Sequence, residues 1–176
     1  MLKKRFRPSL FVRPACALLA ATLSGCLELS IPLSTSGEVP LDENLLGTWS
    51  CTPGDDQSDA HAIMRIVPFD DVRYEAEWAE GDDVTRYRAH GSRIVGATVF
   101  NVQVVEEDEA GSSWVFFQYR FESADALRLW VVRKESVRGG SETEKLDFVR
   151  QHASSDELYD PFALCQRAER EVAAAN

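Results

Sequence analysis

Val72-Arg73-Tyr74-Glu75-Ala76-Glu77-Trp78-Ala79-Glu80-Gly81-Asp82-Asp83-Val84-Thr85-Arg86-Tyr87-Arg88-Ala89 decides the fold. Val72, Tyr74, Ala76 and Trp78 fall on one face, with Arg73, Glu75, Glu77 and Ala79 on the other. A period of two is that of a half-buried strand. Glu80-Gly81-Asp82-Asp83 supplies turn residues, and Val84 to Ala89 leads back as the second arm of a hairpin.

The same grammar extends both ways. Upstream, Leu45 to Cys51 and Ala60 to Val67 read as strands around the turn Thr52-Pro53-Gly54-Asp55-Asp56. Downstream, His90-Gly91 reads as a turn before a short piece around Ile94. Ala97 to Val105, Ser113 to Phe121, Ala126 to Lys134 and Thr143 to Arg150 follow, with Glu106 to Gly111 as one of the turns between them. Eight or nine strands joined by short links predict an all-β, antiparallel up-and-down barrel of about eight strands.

The tail changes period. Ser154 with Glu157 fits a capping box, and Asp160-Pro161 fits an N-cap followed by proline at the first helical position. Leu158, Phe162 and Cys165 then share a face. A C-terminal α-helix packed on the barrel is the expectation.

Ahead of the barrel lies a leader. Residues 1–25 hold Lys3, Lys4, Arg5, Arg7 and Arg13, no acidic residue, and an apolar run from Ala15 to Leu23 that is too short to span a bilayer. It ends in Leu23-Ser24-Gly25-Cys26, which resembles the lipobox of bacterial lipoproteins. The resemblance implies a cleaved signal peptide over 1–25 and lipidation of Cys26. It also implies residence in the cell envelope, with the membrane as partner through the lipid. Leu27 stands where inner-membrane lipoproteins commonly carry Asp, which favours the periplasmic face of an outer membrane. Two or three acyl chains hold a protein durably where one holds it only marginally. Residues 26–44, with Pro32, Pro40, Gly37 and several serines, read as a flexible, lipid-anchored tether, and residues 45–176 as the barrel with its helix.

Charge narrows the partners. The leader takes five of the 19 basic residues and none of the 29 acidic ones, leaving 14 basic against 29 acidic and a net of −15. A surface that acidic disfavours nucleic acid and anionic headgroups. Cys16 leaves with the leader, and Cys51 and Cys165 remain beside the lipidated Cys26. In an oxidising compartment a Cys51–Cys165 disulfide is the simplest account, two separate buried thiols being the alternative.

The folded part carries its own likeness. Gly47-Thr48-Trp49 resembles the Gly-x-Trp opening of the lipocalin and calycin families, and the hairpin succession continues that likeness; Arg86-Tyr87-Arg88-Ala89-His90 leading to Ile94-Val95-Gly96 and Val99-Phe100-Asn101-Val102 resembles small lipocalin-like lipoproteins of bacteria. The lipocalin resemblance implies a tryptophan closing the barrel base with a late arginine on its ring, a cation-on-ring pairing. Arg150 is the best match for that arginine and Arg133 the second. It further implies a site for a small hydrophobic or amphipathic molecule.

Tyr74, Trp78, Phe100 and Trp130 are the aromatic candidates to face a ligand. So many large rings in a short barrel favour a filled interior over an open cup. Arg86 and Arg88 either point inward to hold an anion or lie on a solvated face opposite Glu75 and Glu77. A barrel filled by its own side chains would suit a structural lipoprotein that contacts another envelope component. His61, His90 and His152 are scattered, and the acidic runs lack calcium-loop spacing, so no metal or cofactor is expected. Gly91-Ser92 and Gly111-Ser112-Ser113 do not form a nucleophile elbow, and no catalytic motif stands out.

Overall fold

Eight strands close into one antiparallel barrel in simple sequential order, β1 to β8, with β8 returning to pair with β1. They are β1 (Gly47–Pro53), β2 (Ala62–Pro68), β3 (Arg73–Glu80), β4 (Asp83–Ile94), β5 (Ala97–Val104), β6 (Trp114–Ser123), β7 (Ala126–Val132) and β8 (Tyr159–Arg167). A single α-helix among the described residues, α1 (Glu142–His152), lies between β7 and β8. The computed structural model describes residues 25–54, 61–105 and 113–168. Most of the leader and the acidic runs Asp55-Asp56-Asp59 and Glu106 to Glu109 lie outside the described residues.

The deciding hairpin forms as its alternation requires. Tyr74 pairs with Ala89, Ala76 with Tyr87 and Trp78 with Thr85, across a turn at Gly81 with φ +62°. Closure leaves no unpaired edge in the sheet.

Three expectations for the barrel and its tail are corrected. Thr143 to Arg150 is not a strand but most of α1. Ser141 caps it: its side chain accepts from the Glu144 backbone N–H while Glu144 reaches back to the Ser141 N–H. Leu146 and Val149 then bury one stripe. Conversely, the expected C-terminal helix is a 3₁₀ turn, Asp156–Leu158, followed by β8. Pro161 fits a strand because it sits opposite Trp130, where the β7–β8 register slips and no ladder N–H is needed. Finally, His90-Gly91 is no turn. It runs through the middle of the long β4, with His90 only 4% exposed.

The expected flexible tether is also corrected. Leu27, Leu29 and Leu33 are buried, and the Leu27 N–H donates to the Val132 carbonyl. Leu29 and Trp114 exchange backbone hydrogen bonds of 3.1 and 2.7 Å. Residues 25–34 therefore form a strap across the outside of β4 to β7. They meet α1 in an outer core containing Val99, Phe116, Val132, Leu146 and Val149. Leucines at 27, 29 and 33 give the segment an apolar side that a free spacer would not need.

The strap is fastened by polar groups as well. Asn101, fully buried, accepts from the Leu33 N–H at 2.7 Å and donates to Ser92 Oγ at 2.7 Å. His90 Nε2 lies 2.9 Å from the Ser34 carbonyl, and Arg150 Nη2 donates to the Leu33 carbonyl at 2.8 Å. Burying such groups is tolerable because each finds a partner.

Candidate functional site

The inward faces of the strands enclose a second, separate core. Trp49, Cys51, Met64, Tyr74, Phe100, Leu127 and Cys165 belong to it. Cys51 and Cys165 stand opposite each other on β1 and β8 and are joined by a disulfide, so the covalent bond crosses the seam where the barrel closes.

One end of the barrel is plugged. Val39 passes within 3.0 Å of where a Cβ on Gly91 would stand, so β4 admits the incoming chain there by lacking a side chain. Asp42 then caps a 3₁₀ turn, Glu43–Leu45, and Leu45 turns into the barrel core. Trp49 Nε1 donates to the Leu45 carbonyl at 2.9 Å. Arg167 completes the closure: its guanidinium carbon lies 4.2 Å from the Trp49 ring, and its nitrogens donate to the Leu46 and Asn44 carbonyls at 3.1 and 2.8 Å. Gly47, at φ +127°, would bring a Cβ within 3.2 Å of Arg167 Nη1. A side chain there is disfavoured twice, by conformation and by crowding.

Arg167 is thus the arginine on the tryptophan ring, and the expectation for Arg150 is corrected. Arg150 lies on α1 and holds the strap and Asp147. Arg133 pairs with Asp160 at 3.1 Å. Both matches failed because they assumed that the last strand ended at residue 150.

Above the plug, the interior is not filled. A cavity of about 130 Å³ remains, lined almost wholly by apolar side chains. Tyr74, Trp78 and Phe100, three of the expected ligand-facing residues, line it. Tyr119, part of the aromatic load in the strands, lines it as well, and so do Met64 and Phe162, which the sequence does not single out. Tyr119 had its signal in the alternation of Val115, Phe117, Tyr119 and Phe121. Phe162 carries none, since Asp160-Pro161 reads as a helix start.

Two tyrosines join the cavity to its plug. Tyr119 Oη donates to Asp42 Oδ2 at 2.6 Å, and the Asp42 N–H donates to Tyr74 Oη at 2.6 Å. Burial, reinforced by the neighbouring Asp42, pushes the Tyr119 hydroxyl far above its ordinary value. Tyr74 moves the same way, again mainly through burial. Both stay protonated throughout the neutral range.

The remaining ligand-facing expectations are corrected. Arg86 and Arg88 point outward and pair across the hairpin with Glu77 at 3.2 Å and Glu75 at 3.1 Å. The Arg88 guanidinium also lies 3.3 Å from the Phe69 ring centre. Trp130 packs against the outer core, with Arg120 at 5.1 Å from its ring. Cys26 stands at the end of the barrel away from the plug. It forms an isolated bridge with Arg133 and packs with Val115 and Val131. Burial, then Glu28, Asp160 and Glu135, push its thiol up to about 11.

Fold and site together define a closed eight-stranded barrel, plugged at one end, with an apolar chamber inside. No family model matches the chain, and neither does any curated protein. Among solved structures the chain is similar to a redesigned β-barrel, at 11% identity and a TM-score of 0.41, over 72% of this chain and 94% of that one.

Proposed function

We propose that this chain is a lipid-anchored envelope protein whose lipocalin-like barrel binds a small hydrophobic or amphipathic molecule. The observation that carries the binding reading is the apolar cavity of about 130 Å³ inside a closed barrel. An apolar cavity of roughly that size stays dry and accepts a small apolar guest such as benzene. Gly47, Trp49 and Arg167 support the lipocalin-like assignment, since they bring together the residue types that the family pairs at its barrel base.

The anchor reading rests on the leader and on Cys26. A buried thiol held near 11 is protonated at neutral pH and is a poor nucleophile. Lipid would therefore join the sulfur before the strap docks. That order suits acylation of a precursor ahead of cleavage, and Leu27 after the cysteine favours the periplasmic face of an outer membrane as the place where the finished protein resides. The test is Cys26→Ser. Loss of palmitate labelling and release from the membrane fraction are expected. A variant that keeps its label and its sedimentation would remove the anchor from the account.

A second reading, a structural lipoprotein contacting another envelope component, draws on a different face. Ile63 and Val84, 45% and 59% exposed, flank Ala79 in one outward row across β2, β3 and β4. Native mass spectrometry of the unlipidated domain after exposure to an envelope lipid extract separates the two. A bound small molecule supports the binding module; a domain that stays empty supports the contact protein.

A further inference from the structure

The cavity has a chemical bias that bears on what enters it. Its lining holds no lysine, arginine or histidine among the described residues, and its one acidic member, Glu77, turns its carboxylate outward to Arg86. A buried anion without a cation or a set of donors is strongly disfavoured. Beyond the tyrosines stands a carboxylate, Asp42. Across so apolar a medium, like charges repel far more than in water.

The polar end is also incomplete. Tyr74 is 3% exposed, and its hydroxyl oxygen accepts from the Asp42 N–H. Among the described residues nothing accepts the proton of that hydroxyl. Tyr119 has already committed its proton to Asp42. A hydroxyl can donate once and accept twice, so Tyr74 retains one unused donor beside the chamber.

We infer that the cavity selects an uncharged guest about one ring in size with a single hydrogen-bond acceptor, taken by the Tyr74 hydroxyl, and excludes carboxylate anions such as fatty acids. This deepens, and rests on, the binding reading above. Size follows from the roughly 130 Å³ of space. Polarity follows from the free Tyr74 donor, and exclusion of anions from Asp42 and the lack of a facing cation.

Three probes of similar shape test it on the unlipidated Cys26→Ser domain by NMR titration: toluene, phenol and benzoate. Toluene and phenol should bind at one site, with benzoate at least ten-fold weaker. Tyr74→Phe should weaken phenol by about three- to ten-fold, the worth of one ordinary hydrogen bond, and leave toluene unchanged. Retained toluene binding shows that this variant still folds. Asp42→Asn keeps an acceptor for Tyr119 and should narrow the gap between benzoate and toluene. Benzoate binding as tightly as toluene, or phenol indifferent to Tyr74→Phe, overturns the selectivity while leaving a binding barrel. Failure of all three probes overturns the binding reading itself.

Discussion

The inside and the outside of this barrel are packed in opposite ways. Outside β4 to β7, the strap and α1 bury a second apolar core. Val99, Phe116, Val132, Val149 and Ala153 have no measurable exposure, and Asn101 and Ser92 are buried there with partners. Inside, large rings meet edge to face, Phe100 against Tyr119 at 5.1 Å and Phe117 against Phe162 at 4.9 Å, yet they leave a chamber of about 130 Å³. Protein interiors are normally packed as densely as organic crystals. An apolar chamber that persists beside an outer core with several fully buried side chains is a property of the interior. The outer core can hold the barrel's shape without the interior being full.

The first way to break this contrast is to cut the interior seam. Cys51 and Cys165 are separated by 114 residues, so reduction should cost about 4–5 kcal/mol in the chain-entropy model. The check is the shift of the urea midpoint between oxidised and reduced protein. A shift below about 1 kcal/mol would mean that the outer core alone holds the barrel closed.

The outer core is tested next through its buried amide. Asn101→Ala strips the Leu33 N–H of its acceptor and Ser92 of one of its two side-chain partners, and should destabilise by about 1–3 kcal/mol. Hydrogen exchange should rise across residues 25–34 and stay unchanged in β1 and β8. Equal loosening everywhere would mean that strap and barrel are not separable layers.

The smallest effect is a pH dependence. Burial holds His90 below its ordinary 6.5, with the Ser34 contact working the other way. A base whose folded value is depressed contributes fully above the unfolded value. That contribution is lost as pH falls from about 6.5 through the lowered value. Stability should drop between neutral pH and pH 5 with loosening that begins at the strap. His90→Gln should flatten that part of the profile; an unchanged profile would remove His90 as its source.

How much of this was legible depends on whether the signal was local. The hairpin over residues 72–89 was, because alternation and turn chemistry agreed with the tertiary result. The disulfide was also within reach, since an expected oxidising compartment and the cysteine count left Cys51–Cys165 as the simplest pairing. The helix and the last strand were exchanged. Thr143 to Arg150 alternates by accident, while the capping box at Ser141 and Glu144 lay just upstream and should have outweighed it. Pro161 imitates a helix start because the bulge that accommodates it, with Phe162 as the extra residue of β8, exists only once the tail pairs with β7. Arg167 was lost by the same exchange. The strap and the plug were illegible for another reason. Their prolines and serines describe a loop, and only the surface beneath them shows that the loop is packed. Arg86 and Arg88 were settled by register, since Glu77 and Glu75 lie directly opposite.

Two alanines put the contrast to the most direct test. Ala76 lines the chamber; Ala153 is fully buried in the outer core. Adding the same two methyl groups at each, as Ala76→Val and Ala153→Val, asks whether each layer has room. Urea midpoints should hold or rise for Ala76→Val and fall by about 1–3 kcal/mol for Ala153→Val, because only the second overpacks. A loss at Ala76 equal to that at Ala153 would mean that the chamber is no space at all, and the binding barrel would fall with it.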